Sequence, residues 1–318
     1  MRTTQATRHS RTVEAAIAGH GAARSPLVAS WSRSARLHGL DPGRGLRPDD
    51  RLSEAEIAAA RERMGGILAA AAPVLDRLFQ TVGRIGCTIL LSDREGLALE
   101  RRGSEAEDAD FRSWNLWPGS VWSEAQRGTN GIGTCLVEER VVTIHRDQHF
   151  LACNTALSCM SAPIHDPSGR IAGALDVSSC RSDLTEPMAH LIEQAVADAA
   201  RRIETESFRA AFPRARILLV PGADRATGAL LAVDADDLVV GATRAARLAL
   251  GLGADLERRT PPLDQVLDLE APRTLAEAER GALVRALARH GGNASAAARS
   301  LGISRATFHR KRGTAIAP

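Results

Sequence analysis

The sequence predicts an α+β fold for most of the chain and a separate all-α unit at its C-terminal end. Three observations carry this. Between residues 52 and 212 the apolar period runs from helical to strand-like and back. Two turn signals, Asp93 to Gly96 and Asp166-Pro-Ser-Gly169, each separate a pair of apolar runs. After residue 273 the period is helical again, with Gly breaking it into short pieces. Strands joined by short turns pair antiparallel, so the first part reads as an antiparallel sheet with helices on one side.

The elements follow in order. Residues 1–50 form an N-terminal helical segment, with a short helix in "SPLVASWSRSARLHGLDP" (25–42) stopped by Gly39 and Pro42. Residues 51–212 form the sheet domain. It opens on a helix over 52–83 with Ser53 as its cap. Ile57, Met64, Ile67, Leu68, Leu75 and Leu78 give its apolar stripe, and Pro73 kinks or divides it. "CTILLSDREGLALE" (87–100) reads strand, turn, strand. An acidic loop (104–110), a Trp-bearing loop, a short helix near Ser123–Arg127, a Gly-punctuated turn and a strand at Val141–Ile144 come next. "SCMSAPIHDPSGRIAGALDVSS" (158–179) is a hairpin. The helix over 184–212 carries Leu184, Met188, Leu191, Ile192, Ala195 and Val196 as its stripe. Residues 213–254 are a smaller α+β segment with a hairpin around Asp234–Asp237. Residues 255–273 are polar and Pro-bearing and read as a linker; 274–318 are helical.

Composition narrows the function classes. No apolar run approaches the roughly 18 residues that span a bilayer, and the N-terminus lacks a signal-peptide core, so no membrane partner is expected. Five cysteines without CxxC pairs read as reduced thiols in a cytoplasm. The charge is unevenly placed. No Asp or Glu follows Glu279, while Arg280, Arg285, Arg289, Arg299, Arg305, Arg310, Lys311 and Arg312 do. Eight positive charges without a counter-charge imply a polyanion partner.

The residues of that stretch spell a helix-turn-helix. Thr274 and Glu277 form a capping box. Leu275, Ala278, Ala282, Leu283, Ala286 and Leu287 supply a stripe, and Gly291 or Gly292 ends the helix. Asn293 caps a short second helix, Gly302 makes the tight turn, and Ser304 caps a third. The third helix would enter the major groove of double-stranded DNA. Ser304, Arg305, Thr307, His309 and Arg310 lie on or near its outward face, with Ala306 and Phe308 nearer the core. Arg305 suits a guanine edge, Arg299, Lys311 and Arg312 suit phosphate, and Asn293 is a further candidate for the DNA surface. Gly313 is expected to end this helix early. The competing reading is a solvated basic tail.

Three resemblances rest on quoted residues. "WSEAQRGTNGIGTCL" (122–136) and "HFLACNTALSCMSAPIHDPSGRIAGALDVSS" (149–179) resemble the GAF sensor domain of bacterial acetoin/glycerol-metabolism-type regulators. "GALLAVDADDLVVGATRAARLALGL" (228–252) is similar to the first half of a PAS domain. Residues 274–312 resemble the Fis-family helix-turn-helix. The GAF resemblance implies a small-molecule pocket between sheet and loops, near Trp114, Trp117, Trp122, Thr129, Asn130, His149, Phe150 and Cys159. Relatives of this architecture carry an ATPase domain between sensor and DNA-binding unit. This chain has no GxxxxGK[ST], and Lys311 is its only Lys.

Other motifs weigh less. Gly128 to Gly133 spell G-x-x-G-x-G, but without the strand, glycine order and acidic partner of a dinucleotide loop. His145, His149, Cys153 and Cys159 would converge on a metal only if they shared a helix, and strand and loop separate them. Cys153 and Cys159 as a redox pair would make an enzyme, a distant third reading. The expected protein is therefore a non-enzymatic, homodimeric, sequence-specific DNA-binding regulator. It needs no cofactor, answers to a small-molecule effector and has RNA polymerase as a further candidate partner. The rival is a sensor or adaptor that acts through protein contacts and only anchors on DNA.

Overall fold

The computed structural model describes residues 2–19, 21–45, 51–221, 228–269 and 274–314, the side chains of 2–5 and 312–314 excepted. Contacts divide the chain into two compact units, Met1–Thr260 and Pro261–Pro318.

The first unit is built on a five-stranded antiparallel sheet in the order β2-β1-β5-β4-β3. Its strands are β1 (Thr88–Asp93), β2 (Ala98–Arg102), β3 (Val142–His145), β4 (Ser158–His165) and β5 (Ile171–Ser179). Both predicted turns close as expected: Gly96 N donates to Asp93 O at 3.1 Å, and Gly169 N to Asp166 O at 2.8 Å. The α-helices around this sheet are α1 (Arg2–Ala18), α2 (Pro26–Ser32), α3 (Glu54–Arg63), α4 (Gly65–Val82), α5 (Asp108–Ser113), α6 (Glu124–Arg127), α7 (Gly131–Glu138) and α8 (Glu186–Ala211).

Helices cover both faces of the sheet, not one. α3, α4 and α8 pack on one face over Ile89, Leu91, Met160, Leu175 and Val177. α5, α7 and the Trp122 loop pack on the other, over Leu90, Ala98, Cys159 and Ala174. The physical reason is written in β1, whose every residue is buried: a strand apolar on both sides needs cover on both.

Two predicted helices are corrected in detail. The helix expected over 52–83 breaks at Met64 (φ −92°, ψ 0°), ahead of the poor helix formers Gly65 and Gly66. Pro73 instead sits inside α4. In α8 the inward stripe is Ala189, Ile192, Val196, Ala200 and Ile203, while Leu191 is 71% and Met188 37% exposed. The helix presents a narrower seam than its apolar residues suggested.

The chain then forms a three-stranded antiparallel sheet, β6 (Arg216–Leu219), β7 (Leu230–Val233) and β8 (Val239–Ala242), followed by α9 (Arg244–Leu250). Phe208 of α8 and Phe212, which caps its C-terminal end, pack against it. The predicted linker is partly structured. It holds α10 (Leu256–Arg259), with Leu256 buried and Glu257 paired to the buried Arg247, and α11 (Leu263–Val266).

The second unit adds α12 (Leu275–Arg289), α13 (Ala294–Ser300) and α14 (Arg305–Thr314). Its core is Leu283, Ala286, Ala297, Ala298 and Phe308. Leu275, at 88% exposure, Ala278 and Ala282 lie outside that core, contrary to the predicted stripe, and Ala306 is exposed where a place nearer the core was expected. Three short helices enclose little volume, so only the side chains at their mutual crossing are covered. Among the described residues no helix is long and apolar enough to cross a membrane.

Candidate functional site

The C-terminal unit is held by local chemistry. Thr274 and Glu277 exchange capping hydrogen bonds, each 3.2 Å. Gly291 and Gly292 take φ of 58° and 83°, letting the chain leave α12 and re-enter helix within a few residues. Asn293 Oδ1 accepts from Ser295 N and Ala296 N, both at 3.1 Å. Asn293 was expected at the DNA surface, but its carbonyl is committed to the cap. Gly302 (φ 67°) makes the turn into α14, and Ile303 N donates to Ala298 O at 3.0 Å.

Ser304 caps α14 by accepting from Thr307 N at 3.0 Å, and its hydroxyl lies 2.8 Å from that of Thr307. These two polar groups therefore bond to each other first. Phe308 is fully buried and turns the opposite side of α14 outward. Arg305, His309 and Arg310 are exposed on that helix, and Arg299 is exposed at the end of α13. Arg305 and Arg299 form no ion pair among the described residues. Lys311 pairs with Glu279 of α12. An exposed pair of this kind is worth at most about 1 kcal/mol, so a phosphate can displace it. The side chain of Arg312 lies outside the described residues. α14 runs through Gly313 to Thr314, so the expected early stop does not occur.

In the first unit the predicted pocket residues separate into three places. Trp122 is buried beside Phe111, Leu116 and Ile132, with Trp114 at the edge, and its Nε1 donates to Asn115 O at 2.9 Å. Trp117 lies outward, under the guanidinium carbons of Arg112 at 3.8 Å and Arg101 at 4.3 Å. Phe150 belongs to a different cluster, with Val13, Trp31, Leu40 and Leu151. The N-terminal helices are thus part of this domain's packing and not a separate segment.

The Gly run is a helix junction and not a simple turn. Gly128 (φ 63°) ends α6, and Asn130 caps α7. Asn130 Oδ1 accepts from Gly133 N at 2.9 Å, and its Nδ2 donates to Gly128 O at 2.8 Å. A Cβ on Gly133 would lie 2.5 Å from Glu124 N, and one on Gly131 would lie 2.5 Å from Ser161 Oγ. Thr129 faces α2, 2.7 Å from Ser30 Oγ. Glu124, with a side chain 1% exposed, accepts from Arg33 Nε at 2.9 Å, Arg33 Nη2 at 3.1 Å and Thr134 Oγ1 at 3.1 Å, and also from Ser30. This knot ties α2 to α6 and α7.

His149 and Cys159 do meet. They belong to a buried polar string on the α7 side of the sheet. Asp176, in the middle of β5, accepts from Ser161 Oγ at 2.5 Å and from Ser178 Oγ at 2.6 Å. Ser178 Oγ lies 3.1 Å from Cys159 Sγ, which lies 3.4 Å from His149 Nε2. His149 Nδ1 is 3.0 Å from Arg146 O. Burial raises Asp176 to about 6, with the two serine hydroxyls opposing the rise. Burial lowers His149 to about 4, so it is neutral at pH 7 and donates from Nδ1. Burial, and then the Asp176 charge, push the Cys159 thiol up, so it stays protonated and donates toward His149.

His145 bonds Ser158 Oγ at 2.9 Å, and Cys153 lies 3.6 Å from Arg44 O. Among the described residues no three His, Cys, Asp or Glu gather as a metal site. All five cysteines are free thiols.

Asp176, Ser161, Ser178, Glu124, Ser30 and Arg33 build these networks without belonging to the pocket candidates of the linear sequence. One signal was available: Asp176 stands alone inside the apolar strand "IAGALDVSS". Such a residue needs partners in the fold.

Comparison with known proteins identifies a domain within each unit. The chain carries a GAF domain over residues 67–203 and a bacterial regulatory helix-turn-helix of the Fis family over residues 274–313. It is similar to the acetoin catabolism regulatory protein of Cupriavidus necator, 32% identical over 225 residues, covering 70% of this chain and 34% of that protein. It is also similar to the acetoin dehydrogenase operon transcriptional activator of Bacillus subtilis, 28% identical over 56% of this chain and 29% of that protein. A third relative is the propane 2-monooxygenase operon transcriptional activator of Mycolicibacterium smegmatis, 30% identical over 52% of this chain and 27% of that protein. The chain spans 27–34% of the length of these curated relatives. The structure of the E. coli DhaR(N)–DhaL complex shares the fold, with TM-score 0.52 at 16% identity over 76% of this chain and 81% of that one.

Proposed function

We propose that this GAF and Fis-type chain is a cytoplasmic, homodimeric transcription regulator whose helix-turn-helix reads a defined operator. The observation that carries this is α14: its inner side is fixed by Phe308, and its outer side presents Arg305, His309 and Arg310 on a stretch without acidic residues. Arg305 stands in the first turn of α14, where a recognition helix meets base edges. Arg299 and Lys311 flank it for phosphate. A dimer doubles these few contacts on a two-fold site. The exposed Met188 and Leu191 on α8 and Leu275 and Val284 on α12 are the seams we assign to it.

The GAF domain is the effector module, and the Asp176–Cys159–His149 string is the polar part of its ligand face. With no P-loop, the chain would act by recruiting or blocking RNA polymerase or by bending DNA, not by nucleotide-driven remodelling.

The test is a gel shift of the intact chain on genomic fragments at two salt concentrations. Retention at one site that survives added salt, and that Arg305→Ala weakens by about 1–3 kcal/mol, supports base readout. Sequence-independent retention that vanishes with modest salt refutes it in favour of an anchored adaptor.

A further inference from the structure

A cleft of about 610 Å³ opens between the N-terminal helices and the GAF domain. One wall is α1, with Arg8 and Thr12. The floor is Leu27 and Trp31 of α2. The turn after β3 contributes Asp147 and Gln148, and His9 and Thr155 complete the lining. Hydrogen bonds hold the walls together: Trp31 Nε1 donates to Gln148 O at 2.8 Å, and His9 Nε2 lies 2.9 Å from His149 O.

The charges inside are complementary and unused. Arg8 of α1 and Asp147 of the turn after β3 both line the cleft, and neither forms an ion pair among the described residues. Gln148 Oε1 is occupied by His145 N at 2.8 Å, which leaves its amide N–H groups to donate. Leu27 and Trp31 add apolar surface to the same lining. A simple carboxylate would satisfy Arg8 but face Asp147 with like charge. A simple amine would do the reverse. A molecule bearing both charges and an apolar arm satisfies all three features, and the volume is in the range of small-molecule sites.

We infer that this cleft binds a free α-amino acid with an apolar side chain. Its carboxylate lies on Arg8, its ammonium on Asp147, and its side chain on Leu27 and Trp31. Such a ligand bridges α1 and the Arg146–Gln148 turn. The next residue of that turn, His149, touches Cys159 of the buried string. The cleft is therefore a second input, placed to tighten the N-terminal helices onto the sensor. Binding is read without DNA, so its outcome is independent of the operator test.

The experiment is titration calorimetry on the intact chain with leucine and phenylalanine, against leucinamide, N-acetylleucine and glycine. Saturable binding of the free apolar amino acids is expected, at least about tenfold weaker for the amide and the N-acetyl compound. Arg8→Met and Asp147→Asn, both at exposed positions, should each weaken leucine by about tenfold or more without moving the melting temperature. Absence of saturable binding at millimolar amino acid overturns the inference. So does N-acetylleucine binding as well as leucine, or unchanged affinity in both variants.

Discussion

Replacing Arg33 by Met tests whether the N-terminal helices belong to the sensor. Arg33 makes a two-pronged contact with Glu124, at 2.9 and 3.1 Å, and reaches Glu138 at 3.1 Å. Removing one partner of a buried pair costs about 3–5 kcal/mol, because a charge is stranded. Two features reduce that here. Glu124 keeps Ser30 and Thr134 as donors. Arg33 is also 29% exposed, so water can enter where it stood. The expected loss is therefore about 2–3 kcal/mol. At about 2–4 °C per kcal/mol for a unit of this size, melting should fall by about 4–12 °C. Thermal melts of Arg33→Met, Glu124→Gln and the double variant check this. The double variant should be more stable than the summed losses predict, by about 1 kcal/mol or more. Melting of Arg33→Met within about 1 °C of the parent, or strict additivity, would refute the coupling.

The buried string predicts opposed pH slopes. Asp176, raised to about 6, binds a proton more tightly folded than unfolded, so its contribution is lost as pH rises from about 4 to 6. His149, lowered to about 4, must be neutral when folded, so its contribution grows as pH rises from about 4 to 6.5. Each amounts to about 3 kcal/mol, so the parent's stability should be nearly flat across that window. Asp176→Asn should show stability rising with pH, and His149→Gln should show it falling; denaturant midpoints at pH 4.5 and 6.5, about two units apart, read both. At the Gly run, Gly133→Ala places a methyl 2.5 Å from Glu124 N and 2.6 Å from Trp122 O. Both neighbours are backbone, so the loss should reach about 3 kcal/mol, and a melt unchanged from the parent would contradict this packing.

Much of the fold was legible because its signals are local. Asp93–Gly96 and Asp166–Gly169 announce their turns through residues that favour turn geometry. Thr274 with Glu277, Asn293 and Ser304 announce three helix starts, since a cap is read within four residues of itself. The basic, acid-free stretch after Glu279 is likewise a property of the linear chain. These features suffice to predict the sheet order's antiparallel character and the helix-turn-helix.

What the sequence left undecided depends on contacts between distant residues. Nothing near Ser30 or Arg33 says that they meet Glu124, which lies 94 and 91 residues away. The eight pocket candidates shared composition and proximity in sequence, but tertiary packing sent Trp122, Trp117 and Phe150 to three different places. It also chose which apolar residues of α8 and α12 face inward, because a stripe fixes a helix's buried side only to within the width of what packs against it. The chain's local chemistry thus determined its elements and its basic, acid-free C-terminal stretch. The three-dimensional fold alone decided that His149, Cys159 and Asp176 share one buried string, because only close packing around them excludes the water each would otherwise bind.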